Sequence, residues 1–129
     1  MNKLKQEQKD LLLKDLCTRL PYGVKISIPD LWTQEREIEI LDEIFKGDDG
    51  LYRVNSKGQC IEYIKPYLFP FSSMTDEQEK ELHSLMIQDS YGILYHTIES
   101  FGYIYKNHID IRGLIPMGLA IDATGLNIY

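Results

Sequence analysis

The sequence predicts an α+β fold: a small twisted antiparallel sheet, in the manner of an SH3-like partial barrel, covered by an N-terminal helix and two later helices. Three observations predict it. A leucine stripe with helical spacing precedes residue 20, apolar and polar residues alternate over residues 24–28, and helical periodicity returns after residue 75.

The first helix spans residues 2–19. Its composition is strongly helix-forming, and Leu12, Leu13, Leu16, Cys17 and Leu20 recur at three- and four-residue spacing. Cys17 therefore falls on the apolar side. Pro21 disfavours helical geometry at Leu20, and Gly23 supplies a joint, so the helix stops at the Pro21-Tyr22-Gly23 corner.

In the next segment Val24, Ile26 and Ile28 face one way and Lys25 and Ser27 the other, the pattern of a half-buried strand that Pro29 ends. Residues 30–35 read as a loop carrying the one tryptophan, Trp32. Residues 37–45 fit two patterns. Glu37-Ile38-Glu39-Ile40 alternates like a strand, Ile38, Leu41, Ile44 and Phe45 also form a helical stripe, and the strand is preferred.

Gly47-Asp48-Asp49-Gly50 is a turn cluster. Residues 51–54, the turn at 55–58 and residues 59–64 then have the layout of a β-hairpin, completing a sheet over residues 24–64. Pro66 and Pro70 make residues 65–71 an extended connector. Thr75 with Gln78 forms a capping box, and Asp76, Glu77 and Glu79 place negative charge in the first turn of the second helix, whose inward edge is Leu82, Leu85 and Met86. Residues 88–92 break it. Leu94, Ile98, Phe101 and Tyr105, at spacings of four, three and four, predict the third helix, with Asn107 and His108 suited to its C-terminus. The tail, residues 109–129, mixes Gly113, Pro116, Gly118 and Gly125 with aliphatics and reads as turns and short strands laid onto the domain.

A chain of 129 residues fits one domain with one core, divided into a helix at 1–20, a β-rich part at 24–64, a helical part at 75–108 and the packed tail. Its 43% apolar content supplies enough material to hide roughly two-thirds of the unfolded surface. Twenty acidic against 14 basic side chains give a net charge of −6, which opposes nonspecific attraction to nucleic acid or anionic lipid. No apolar stretch is long enough for a signal peptide or a membrane span, which places the chain in the cytoplasm. Cys17 and Cys60, without a CxxC, read as buried free thiols.

His108-Ile109-Asp110-Ile111-Arg112 is the candidate catalytic cluster. In an extended segment alternate side chains share a face, so Asp110 would orient His108 as a general base while Arg112 held an anion. The plainer reading is a helix cap, a turn aspartate and an ion pair from Asp110 to Arg112. His83, His96 and His108 form no metal-ligand spacing, and no nucleophile elbow, phosphate loop, dinucleotide fingerprint or EF-hand occurs, so neither metal nor cofactor is expected. Among nine tyrosines, Tyr22, Tyr52, Tyr63 and Tyr67 surround the expected sheet. They form the candidate binding surface, for a peptide or for stacked bases.

Three stretches carry a resemblance: Leu16-Cys17-Thr18-Arg19-Leu20-Pro21-Tyr22-Gly23-Val24, Lys65-Pro66-Tyr67-Leu68-Phe69-Pro70 with Ser72-Ser73-Met74-Thr75, and residues 108–120. Together they resemble a family of small uncharacterised proteins encoded by gut anaerobic bacteria and their prophages or mobile elements. The resemblance spans nearly the whole chain except the region between Pro29 and Gly58. It implies a cytosolic bacterial or phage setting and a single-domain product, and it brings no catalytic residues. The expected function is a non-enzymatic protein-interaction module, monomeric or a small homo-oligomer, with a protein partner. The alternatives are a small enzyme using His108, Asp110 and Arg112, and a nucleic-acid-binding small β-barrel.

Overall fold

The computed structural model describes residues 4–30, 32–33 and 35–129. The fold is α+β, with the N-terminal helix packed over the main sheet and the two later helices packed on each other. Helix α1, Gln6–Arg19, starts where the Gln8 side chain accepts the Lys5 N–H at 2.9 Å and ends in a 3-10 turn, Leu20–Tyr22, closed by Gly23 at φ 69°. Residues 2 and 3 of its expected span lie outside the described residues.

The main sheet has strand order β2-β1-β6-β9: β2, Arg36–Ile40; β1, Lys25–Pro29; β6, Lys65–Leu68; and β9, Ile121–Asp122. Strand β1 is central and antiparallel to both neighbours, with Ile26 opposite Glu39 and Ser27 opposite both Ile38 and Lys65. Its inward residues Ile26 and Ile28, with Val24 just before it, are buried, each contributing about 1.5–3 kcal/mol of burial. Residues 65–68, expected as a connector, are thus a strand. Strand β6 meets β1 through Lys65 and Pro66 and β9 through Tyr67 and Leu68, so neither edge carries a full ladder and the proline is tolerated. The β6–β9 pairing is parallel, which makes the sheet mixed.

A separate three-stranded antiparallel sheet holds β3, Ile44–Lys46; β4, Tyr52–Val54; and β5, Gln59–Cys60. The expected strand at 59–64 is only two residues long because residues 61–63 turn into a 3-10 helix. The strands of residues 24–64 therefore divide between two sheets instead of bending into one. Buried Asn55, at φ 55°, joins them: its Nδ2 donates to the Ile40 carbonyl and its Oδ1 accepts the Asp42 N–H, both at 2.9 Å.

Helix α2, Asp76–Ser84, opens on the Thr75–Gln78 capping box that the sequence predicts. A two-stranded ribbon follows, β7 (Ile87–Gln88) with β8 (Leu94–Tyr95). Helix α3, Ile98–Lys106, begins four residues later than the periodicity implied, at a Thr97 cap that accepts the Ser100 N–H at 3.0 Å. Its buried positions are Ser100 and Ile104, so the expected stripe is displaced and Ile98 is 88% exposed. The reason is local: Thr97 is the better N-cap, and the register it sets turns Ile98 outward.

Apolar packing forms two clusters. The larger unites Leu12 and Leu16 of α1 with Val24, Ile26, Ile28, Leu68 and, from the tail, Leu114 and Leu119. The smaller gathers Leu82, Ile104 and Ile109. Among the described residues no helix is long and apolar enough to cross a membrane.

Candidate functional site

Helix α1 buries a face the leucine pattern did not announce. Alongside Leu12 and Leu16 it turns Asp15 and Arg19 fully inward, both with no exposed side-chain area. That rotation leaves Cys17 exposed, contrary to the expected buried thiol, and Cys60 half-buried. Arg19 Nε donates to Asp15 Oδ2 at 2.8 Å and its Nη2 to the Ile109 carbonyl at 2.6 Å. Arg112 Nη1 reaches the other Asp15 oxygen at 2.8 Å, and the Tyr105 ring lies 5.3 Å from the Arg19 guanidinium and 5.8 Å from that of Arg112. One carboxylate between two guanidiniums fastens α1 to the segment after α3.

The proposed trio does not converge. Arg112 is committed to Asp15, not to Asp110. The buried Asp110 carboxylate instead accepts the Leu114 and Ile115 N–H groups, each at 2.9 Å, and so caps the turn that starts the tail. His108, rather than Asn107, takes the left-handed position after α3, at φ 58°. Its ring stacks on Tyr129 with centroids 3.8 Å apart. Burial lowers its pKa to about 4, with further lowering from Arg19 and Lys25, so the ring is neutral at neutral pH and gives α3 no cationic C-terminal partner. Burial likewise pushes the Tyr129 phenol up to about 12, while its hydroxyl donates to the Tyr67 carbonyl at 2.7 Å.

His108 and Tyr129 wall a cleft of about 420 Å³ between the tail and the start of α2. Phe69, Met74 and Ile109 supply its apolar lining, and Gln78 and Lys106 its rim. Among the described residues, the His108 Nδ1 and the Arg19 Nη1 are buried without a hydrogen-bond partner.

The four tyrosines of the expected binding surface are dispersed. Tyr67 is buried in β6, and Tyr22 sits 6.1 Å from Tyr105. Tyr52 lines a groove under α1 with Leu13 and Ile61, whereas Tyr63 lines another beside Arg36 and Lys65.

Sequence reasoning missed the ribbon between α2 and α3. Ile87 and Tyr95 are cross-strand partners on one face and Leu94 occupies the other, yet all three are exposed. Tyr91 at the tip and Ile98 just beyond are each 88% exposed. The tip is held by Asp89, whose carboxylate accepts the Tyr91 and Ile93 N–H groups at 2.9 Å and the Tyr95 hydroxyl at 3.1 Å. An Asp-Ser-Tyr-Gly turn between short apolar runs was the available signal, masked by the competing helical spacing of Leu94, Ile98 and Phe101.

No protein-family model, curated protein or solved structure matches this chain.

Proposed function

We propose that this protein is a non-enzymatic interaction module that docks on a protein partner through the arm at residues 85–98, in the phage or mobile-element setting its sequence resemblance implies. The observation that carries this reading is the ribbon exposed on both faces. Ile87, Tyr91, Ile93, Leu94, Tyr95 and Ile98 are between 42% and 88% exposed. Two tyrosines, each offering roughly 150–250 Å², and four aliphatic side chains together present several hundred Å² of surface, a large part of the ~800 Å² that one partner gives a standard interface. An isolated two-stranded ribbon is also marginal in water. Covering it therefore stabilises both the ribbon and the complex.

The test compares affinity purification from the native host for the full chain and for an Ile87→Ser, Tyr91→Ser, Ile98→Ser variant with an unchanged circular dichroism spectrum. A partner recovered with the first and lost with the second is the expected result. Equal recovery with both removes the arm as the docking element.

A further inference from the structure

We infer that the cleft walled by His108 and Tyr129 binds a small organic acid, with the acid group held by Lys106, Gln78 and His108 and the apolar body against Phe69 and Met74. This site is independent of the arm, and three observations lead to it.

The first is charge. The chain carries −6, yet among the described residues no Asp or Glu side chain lines this cleft, and its one charged side chain is Lys106, which has no ion pair among the described residues. An anion entering here meets a local positive charge despite the chain's overall negative one.

The second is the free donor set. Gln78 uses its side-chain oxygen on the Thr75 N–H, at 2.9 Å, which leaves its NH₂ group as a donor at the rim. The His108 Nδ1 is buried, so Nε2 is the ring nitrogen that opens on the cleft. The tautomer follows from the neighbours. Burial first, and then Arg19 and Lys25, disfavour the ring's protonated form, and the two neighbouring cations favour a lone pair over an N–H at the buried Nδ1. The proton of the neutral ring then sits on Nε2 and points outward as a donor.

The third is backbone strain at the same residue. His108 holds a left-handed φ of 58° that costs a non-glycine residue energy, and it is pinned there from both sides. Its carbonyl accepts the Phe69 N–H at 2.8 Å, its N–H donates to the Tyr105 carbonyl at 3.1 Å, and the Asp110 N–H donates to the Phe69 carbonyl at 2.8 Å. Tyr129 then fixes the ring by stacking. The result is a preorganised donor rather than a mobile one.

The experiment is a two-dimensional NMR titration of the full chain with benzoate, phenyl phosphate and the neutral isostere benzamide. Benzoate or phenyl phosphate should saturate with a Kd near or below about 1 mM, shifting the Gln78 side-chain amide, Lys106 and the His108 ring. Benzamide should bind about tenfold more weakly, and whichever acid binds more tightly names the acid class. Lys106→Gln, at an exposed position, should weaken the acids at least about threefold and leave benzamide unchanged. His108→Asn, which suits the left-handed backbone, should weaken both acids by a similar factor. Saturation by neither acid below about 10 mM, or equal binding of benzoate and benzamide, overturns the inference.

Discussion

The junction of α1 with the residues after α3 and the arm between α2 and α3 place their side chains in opposite ways. The junction buries charge: Asp15 and Arg19 are wholly removed from water, and Arg112 is drawn in after them. The arm exposes hydrocarbon, with Tyr91 and Ile98 almost fully solvated. Burying ions costs several kcal/mol per group and is tolerated only where the charges are paired, as Asp15 pairs Arg19 and Arg112, so the junction has one arrangement. Exposing apolar side chains costs much less per residue and leaves the surface available to a partner. The first region therefore specifies the fold, and the second is where function has room.

The sharpest way to break this contrast is Asp15→Asn. The substitution removes the one anion serving Arg19 and Arg112 and leaves a fully buried guanidinium uncompensated. A loss of about 3–5 kcal/mol is expected in urea unfolding, or failure to fold at all. A loss under about 1 kcal/mol would mean that the pair is not buried as described.

Asp110→Ala comes next. Two backbone N–H groups, of Leu114 and Ile115, lose their acceptor where the tail turns back onto the core, and the expected cost is about 1–3 kcal/mol. Asp110→Asn keeps one acceptor oxygen and should lose less. The same pair of variants bears on chemistry, since an Asp110 that orients His108 would show itself as a changed ring titration in Asp110→Asn, and the geometry predicts none.

How much of this was legible follows from the range of the forces involved. The Thr75 cap, strand β1 and strand β2 each arise from neighbours a few residues apart, and each stands where the sequence places it. The buried ion pair was not legible, because an aspartate and arginine four apart on a helix look identical whether solvated or enclosed. Only Arg112, 97 residues beyond Asp15, reveals which. The division of the strands into two sheets, the parallel β6–β9 pairing and the dispersal of Tyr22, Tyr52, Tyr63 and Tyr67 are likewise long-range outcomes. At His108, Asp110 and Arg112 the alternation argument assumed extended backbone, and the left-handed turn at His108 voids it.

A third prediction concerns pH. His108 falls from the ordinary 6.5 to about 4 in the fold, so between those values the unfolded chain binds a proton that the folded chain refuses. Its contribution to stability is complete above about pH 6.5, declines as pH falls through the window and flattens below about pH 4. Because the ring is only half-buried, solvent screening reduces the effect to about 1–2 kcal/mol. The difference between the pH–stability curves of the wild type and His108→Asn isolates it. A difference that stays constant from pH 7 to pH 4 would show the ring to be freely solvated, and with it the cleft wall.

The smallest expected effect on stability is at the arm, and there the smallness is itself the test. Ile87→Ser, Tyr91→Ser and Ile98→Ser each remove apolar surface that is already mostly in water, so each should change unfolding free energy by no more than about 0.5 kcal/mol. Only Asp89 should matter within the arm. Asp89→Ala frees the Tyr91 and Ile93 N–H groups and the Tyr95 hydroxyl, and should raise hydrogen exchange at the tip while leaving exchange in β1 and α1 unchanged. If instead the three serine substitutions each lowered stability by about 2 kcal/mol in the isolated protein, the arm would be a covered part of the fold in solution. Docking would then have to be sought elsewhere on the surface.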